Sequence, residues 1–496
     1  MTRLADLLAG LVPADPIPAV MVGGLSVDSR RVAPGDAFVA VAGTRTHGME
    51  FAAAALAAGA SVVLHDGRAE PPAEIAARTV EVPGLQGRLA ELAKRFYDDP
   101  VAALDLTAVT GTNGKTSVAW LLAQALDGAM IGTLGSGRPS AHNPAALREA
   151  THTTPDLPSL YRELARIRDE GIRKVVLEAS SHALAQHRLD GLQFTTAVFT
   201  NLGRDHLDYH DSVEAYGRAK ARLFHEFPVR RRLINIDDPF GRQLVDELVD
   251  EMAEARGDRR GLLRFGLDPA RLPDAFGTIR RADLDGLQID VTTPEGRVCC
   301  CSGLIGRVNA FNLVVVATEL MARGADPDDA AEIVGALMPV PGRMNRIDGP
   351  DGQRVVIDYA HTPDALENAL ASLREMTPAR LICVFGCGGE RDAGKRPLMG
   401  RIAEALADQV VITDDNPRRE NRMRIVREIE AGMARPDRVR VIPDRREAIA
   451  CAVASAEPGD CVLVAGKGHE QTQDLGDRVI EFSDFDAVRD ALTEAA

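Results

Sequence analysis

Leu104-Asp105-Leu106-Thr107-Ala108-Val109 runs into Thr110-Gly111-Thr112-Asn113-Gly114-Lys115-Thr116-Ser117, and the apolar stretch Val118–Leu126 follows. A β run, a glycine turn, a lysine backed by a hydroxyl and then a helix form the context that a phosphate-binding loop requires. Glycines let backbone N–H groups close on phosphate oxygens, and the helix N-terminus adds positive potential. On this reading Gly111, Thr112, Asn113, Gly114 and Ser117 line the phosphates. Lys115 offsets β/γ charge and Thr116 ligates Mg²⁺. The match is partial, because Val109 stands where the full pattern has its first glycine. The alternative is an ordinary strand–helix turn.

Further apolar runs extend the pattern on the C-terminal side: KVVLEAS at 174–180, TTAVFTNL at 195–202 and RRLINID at 231–237. Helical stretches lie between them, an order that predicts parallel strands with crossover helices. A second series, VVIDYAH, LICVFGC, QVVITDD, VRVIPD and CVLVAGK, occupies 355–467. VPGR at 340–343 is the expected hinge. Residues 1–103 are Ala-rich, with short β segments at Asp36–Val41 and Ser61–Leu64. The reading is α/β in three domains. A small N-terminal domain covers 1–103, a central P-loop parallel-sheet domain 104–339, and a C-terminal Rossmann-like open-sheet domain 340–496. In open parallel sheets ligands sit at the carboxyl ends of the strands, so the residues after each run are the ones to inspect.

Composition narrows the function classes. The 496 residues are 45% apolar and 26% charged, which is ordinary for a globular chain. The formal charge of −15 argues against a nucleic-acid partner, whose backbone calls for an excess of Lys and Arg. No apolar run approaches the ~20 residues that span a bilayer, and Asp6 interrupts the first apolar stretch. The expectation is a cytoplasmic protein without membrane insertion. The seven cysteines show no CxxC spacing, which disfavours zinc. They read as buried or partly buried thiols in strands.

Two features near the loop point to a metal. Glu178 ends the KVVLE run, where a carboxylate suits a hard Mg²⁺ ion. Asn201–His210, NLGRDHLDYH, carries more titratable side chains than a plain loop needs. In the helix predicted over 212–227, Lys220 falls on the apolar stripe of Val213, Tyr216, Leu223, Phe224 and Phe227, while Arg218 and Arg222 fall off it. An inward ammonium is costly unless it is paired or neutralised. Either Lys220 snorkels to the surface, or CO₂ carboxylates it to N6-carboxylysine, an anionic partner for Mg²⁺.

TGTNGKTS, EASSH, NLGRDHLDYH and the lysine of EAYGRAKARLF, in this order, resemble the Mur ligases, the ATP-dependent amide ligases of peptidoglycan precursor synthesis. The resemblance covers essentially the whole chain. It implies a uridine-nucleotide pocket at Leu25, Ser29 and the 44–48 loop with Thr44, His47 and Gly48; the alternative there is a plain β hairpin. It implies that Thr153, Thr154, Ser180, Gln186 and Arg188 hold a UDP-N-acetylmuramoyl dipeptide. Thr116, Glu178, His206 and carboxylated Lys220 match its two-Mg²⁺ arrangement, with Lys115, Lys220 and His206 catalytic. Asn309 and Asn312 match the adenine side, although Val308 replaces the family's usual Phe. Arg343 and Asp358, with Tyr359 and His361, match the ATP side; Asn345, where the family often has Glu, is given no function. Arg391, Asp415, Asn416, Pro417, Arg418, Gly466 and Glu470 match the amino-acid pocket.

Within the family the pattern implies meso-diaminopimelate as the amino acid. A guanidinium at 418 can pair with its distal carboxylate, and Glu470 with its distal ammonium. A Pro-led turn before a helix over 423–433 would explain Asn416-Pro417 but not the arginine. A monomer is expected, with the C-terminal domain closing over the central one. The alternatives are a lysine-adding ligase, a folylpolyglutamate synthase-like ligase, and a GTPase-like switch. The last would carry an Asn-Lys-x-Asp that this chain lacks.

Overall fold

The computed structural model describes residues 1–13, 17–43, 46–140, 147–148, 152–203, 205–206, 209–254 and 261–494. The chain divides into two compact units, up to Phe265 and from Gly266 onward.

In the first unit, β1 (Leu25–Ser26), β2 (Ala37–Ala40), β3 (Val62–His65) and β4 (Thr79–Glu81) form a parallel sheet in that order. The stretch from Leu25 to Gly43 is therefore not a hairpin. A helical turn at Ser29–Arg31 lies between β1 and β2 and lets them run the same way. The remaining strands are β5 (Asp105–Thr110), β6 (Ala129–Gly132), β7 (Gly135–Gly137), β8 (Lys174–Glu178), β9 (Phe194–Phe199), β10 (Val229–Asn235) and β11 (Leu262–Gly266). Their order is β11-β10-β9-β5-β8-β6-β7, parallel except for the terminal pair β6–β7. β5 is central and its last five residues are buried, as a strand covered on both faces must be. The β5–β8 register sets Glu178 beside Val109, so the carboxylate emerges where the glycine turn starts.

The second unit opens with an antiparallel meander, β12 (Ala275–Asp283), β13 (Gly286–Thr293) and β14 (Gly296–Ser302). This meander is a departure from the parallel reading of 104–339. The triple cysteine lies on β14, where the two-residue period turns Cys300 inward and leaves Cys299 and Cys301 exposed. Those two are not the buried thiols expected, and Cys451 lies in a helix rather than a strand.

The second sheet of this unit comprises β15 (Asn345–Asp348), β16 (Arg354–Asp358), β17 (Leu381–Phe385), β18 (Gln409–Ile412), β19 (Arg440–Val441) and β20 (Cys461–Ala465). Its order is β15-β16-β20-β17-β18-β19, parallel except for β15. Alternate residues feed separate cores: Val356, Cys383, Phe385 and Leu463 on one face, Ile357, Ile382, Val384 and Val464 on the other. Every predicted run of this series is a strand, and the loops at their carboxyl ends carry the candidate residues.

Candidate active site

The glycine turn is built against the end of β9. Gly111 has φ 148°, and a Cβ there would stand 1.9 Å from Thr200 Oγ1, so only glycine permits the approach. Thr200 Oγ1 donates to the Asn113 carbonyl at 2.7 Å, and Asn201 Oδ1 accepts from Asn113 N at 2.9 Å. The helix Lys115–Ala125 follows directly, with Gly114 as its N-cap. The Lys115 ammonium folds over the turn and donates to the carbonyls of Gly111 and Thr112 at 2.9 and 2.8 Å.

Two buried ionisable groups converge on this turn. Glu178 accepts from Thr116 Oγ1 at 2.9 Å, from Thr133 N at 2.8 Å and from Thr133 Oγ1 at 3.2 Å. These partners are neutral. Burial raises its carboxyl above the usual range, with the Lys115 charge acting the other way. Lys220 is 1% exposed, on the inner face of the helix Val213–His225. Its Nζ donates to the Gly111 carbonyl at 2.7 Å and lies 4.2 Å from the Tyr216 ring centroid. Burial, and then the Lys115 charge, hold its amine well below an ordinary lysine. The lysine does not snorkel: its ammonium end is buried between the Gly111 carbonyl and the Tyr216 ring.

His206 stands further out, with a side chain 44% exposed, φ 53° and Asp205 at 3.5 Å. It joins a ring cluster with His182 at 4.8 Å and Tyr216 at 6.0 Å between centroids, so Tyr216 connects it with Lys220. Arg204, Leu207 and Asp208 lie outside the described residues.

The residues matched to the dipeptide adjoin Glu178. Thr154 Oγ1 donates to the Glu178 carbonyl at 2.6 Å and lies 3.2 Å from Ser180 Oγ. Thr153 Oγ1 is 3.1 Å from Thr133 Oγ1. Arg188 donates to the Thr154 carbonyl at 2.9 Å and to Gln186 Oε1 at 3.0 Å, and Gln186 donates to Tyr209 at 3.1 Å. In the N-terminal sheet, Leu25 is buried in β1 and Ser29 starts the following turn. His47 lies 3.1 Å from Asp66, and a Cβ on Gly48 would be 2.8 Å from Ala40 Cα. Thr44 lies outside the described residues.

In the second unit, Asn309 and Asn312 share one face of the helix Arg307–Ala322, 3.1 Å apart, while Val308 is exposed. Asp358 ends β16 and accepts from Met344 N at 2.8 Å; burial raises its carboxyl and Arg343 opposes this. The Arg343 guanidinium lies 4.8 Å from the Tyr359 ring, which neighbours His361 and His469. Asn345 accepts from Arg343 N at 3.0 Å, which gives the unassigned residue a local structural part.

The amino-acid residues gather at the ends of β17, β18 and β20. A Cβ on Gly388 would meet Arg418 Nη1 at 3.2 Å, Arg391 Cγ at 3.6 Å and Asp415 Oδ1 at 3.8 Å. Arg418, at φ 52°, donates to the Gly389 carbonyl at 2.7 Å. The helix after it spans Arg422–Glu430 and is capped by Asn421. Asn416 donates to Glu470 at 2.9 Å. A Cβ on Gly466 would reach Asp415 Oδ2 at 2.7 Å. Three fully buried cations behind this pocket escaped the sequence reading: Arg396, Arg445 and Lys467. Arg445 pairs with Asp484 at 2.7 Å and donates to the Ala465 carbonyl at 3.0 Å. Arg396 binds Glu420, Glu428 and the Gly388 carbonyl. Glu–Lys spacing within GKGHE was the one available signal for Lys467.

Three family models match successive segments of the chain. The Mur ligase family catalytic domain matches 22–97, the Mur ligase middle domain 109–319, and the Mur ligase glutamate ligase domain 342–468. The chain is 47% identical over 483 residues to a UDP-N-acetylmuramoyl-L-alanyl-D-glutamate–2,6-diaminopimelate ligase of Xanthomonas campestris pv. campestris, covering 95% of this chain and 94% of that one. It is 46% identical to the ligase of the same name from Chromobacterium violaceum, covering 99% and 98%. A solved structure of an enzyme with that name superposes with a TM-score of 0.73 at 34% identity, covering 99% of each chain.

Proposed function

Because this chain belongs to the Mur ligase family, we propose that it is the ATP-dependent ligase that joins meso-2,6-diaminopimelate to the D-glutamate γ-carboxylate of UDP-N-acetylmuramoyl-L-alanyl-D-glutamate. The observation that carries the reading is the convergence of a buried carboxylate, Glu178, and a buried amine, Lys220, on one glycine turn. The boundaries 1–103, 104–339 and 340–496 go with it, and we place the reaction in the cytoplasm.

The γ-carboxylate oxygen attacks the γ-phosphorus of ATP, ADP leaves, and an acyl phosphate results. The amine of diaminopimelate then attacks the acyl carbon, loses a proton, and phosphate leaves as the amide forms. Two anions must first be brought together, so the catalyst's main task is to offset their repulsion. Lys115, already over the turn, does this from the loop side. Arg188, whose guanidinium burial makes less basic than usual, is anchored to Thr154 and orients the dipeptide. Thr116 and Glu178 are oxygen donors suited to Mg²⁺, and the neutral partners of the buried carboxylate leave its charge available to a cation. Carboxylated Lys220 and His206 complete the donor set. Magnesium bound there supplies positive charge against the phosphate–carboxylate repulsion. Lys220 is suited to the modification because CO₂ adds to a neutral amine, releasing a proton, and burial favours that neutral form. Asn309, Asn312, Arg343 and Asp358 contact ATP. Leu25, Ser29, Thr44, His47 and Gly48 contact the uridine end.

Phosphate release, followed with a coupled assay, tests the reading. Release is expected only when ATP, the UDP-dipeptide and diaminopimelate are all present, and little is expected with lysine instead. Equal release with lysine, or release without the UDP-dipeptide, would refute it.

A further inference from the structure

Lys467 follows the end of β20 and turns inward, with its side chain 0% exposed. A desolvated ammonium needs anionic or strongly polar partners. Lys467 Nζ donates to Glu470 Oε2 at 2.7 Å and to Asn416 Oδ1 at 3.1 Å. Asn416 Oδ1 also accepts from Asp474 N at 3.0 Å, which fixes the amide's orientation and aims Nδ2 at the same Glu470 oxygen, 2.9 Å away. Both donors therefore converge on Oε2. The Glu470 side chain remains 33% exposed, so the carboxylate is held from behind and presented forward. Burial pushes this carboxyl up, and the Lys467 and Asn416 contacts outweigh burial and leave it below its usual value.

Charge gives the arrangement its consequence. Arg445 is matched by Asp484 and Arg396 by Glu420 and Glu428. Around Gly388, Arg391 and Arg418 stand beside Asp415, and Lys467 stands directly behind Glu470. Cations set beside each carboxylate suit an amino acid whose far end carries a carboxylate beside its ammonium. They penalise one that brings an ammonium alone.

We propose that Lys467 is a specificity-determining positioning residue: it anchors Glu470 through Oε2 and supplies the positive charge that makes the pocket select a zwitterionic distal end over a lone ammonium. The inference rests on the diaminopimelate reading given above. Lys467 touches Glu470 and Asn416 rather than the reacting atoms, so its effect belongs in the affinity for the amino acid.

The test uses the full-length protein, with Lys467→Met and Lys467→Gln beside wild type. Initial rates are measured with ATP, UDP-dipeptide and either diaminopimelate or lysine, and diaminopimelate binding is measured by calorimetry. Lys467→Met is expected to raise the KM for diaminopimelate about tenfold, the loss typical of one charge-assisted contact, with KM for ATP and dipeptide within about twofold. The diaminopimelate-to-lysine ratio of kcat/KM should fall by a similar factor. Lys467→Gln, which keeps a donor but no charge, should fall between. An unchanged ratio would overturn the proposal. So would a parallel rise in all three KM values, or loss of the cooperative melting transition in both variants, since either assigns the lysine to folding. Wild type that forms no product with diaminopimelate refutes the functional reading instead; wild-type turnover with unaltered variants refutes only this inference.

Discussion

Lys220 and Lys467 are both fully buried, one in each compact unit, and their surroundings differ in kind. Lys220 meets a backbone carbonyl and an aromatic face, and the charge that acts on it most is a second ammonium, Lys115, with Asp205 opposing more weakly. Lys467 meets a carboxylate and an amide oxygen. The first setting favours loss of the proton and hence chemistry at nitrogen; the second locks the ammonium in place. Burial alone thus does not tell a reactive lysine from a positioning one; the identity of the partner does.

The largest expected effect tests the first half of that contrast. Lys220→Ala should lower kcat on the order of 10³-fold, the scale of a lost charge-stabilising group in a preorganised site. Short carboxylates should restore part of it by filling the vacated space. Wild type equilibrated with ¹³C-bicarbonate should show a carbamate carbon by NMR, absent from the variant. Full activity in Lys220→Ala, or no carbamate signal under turnover conditions, would make Lys220 merely another buried cation.

Much of this was legible in the residues because strands and turns write themselves locally. Apolar runs of β spacing mark β5, β8, β9 and the five parallel strands of the second sheet, and glycine turns mark where ligands can approach. The four-residue spacing of Lys220 to Tyr216 and Phe224 put it on the apolar stripe but left snorkelling open, which its burial then excludes. What was not legible is pairing across long separations. Arg396 reaches Glu420 and Glu428, and Arg445 reaches Asp484, which no periodicity indicates. The antiparallel meander was missed for a related reason: alternation over 275–302 fits either strand direction, and only tight turns at Asp283–Gly286 and Thr293–Gly296 fix it. The aromatic link from Lys220 through Tyr216 to His206 likewise depends on a loop and a helix meeting in space.

A smaller effect, of opposite sign in the two units, sharpens the contrast. With CO₂ removed and no nucleotide added, Lys220→Met should stabilise its unit by about 1–2 kcal/mol, because an apolar chain of similar length replaces a buried polar amine whose hydrogen bond goes to a backbone carbonyl. Trp120, the chain's single tryptophan, is buried in the helix after the glycine turn and reports that unit in urea titrations. Lys467→Met should instead destabilise by about 1 kcal/mol, since Glu470 loses an ion-paired hydrogen bond. Shifts of the same sign in both variants would erase the distinction.

The smallest effect concerns Arg396, a buried cation supplied with two carboxylates. Its hydrogen bonds, with that of Glu390 N, hold the Glu420 carboxyl down to about 2. The folded value lies below that of an unfolded chain, so the unfolded state takes up the proton first as pH falls. The stabilisation is complete above the ordinary glutamate range and disappears as pH drops toward 2. Melting temperature should therefore decline more steeply between pH 5 and pH 3, as read on the ~4.3 scale of free glutamate, in wild type than in Glu420→Gln, which has no proton to gain. The Gln variant should start lower at neutral pH and converge with wild type in acid. Parallel profiles would mean that Arg396, like Lys220, is held by its carbonyl and its surroundings rather than by its carboxylates.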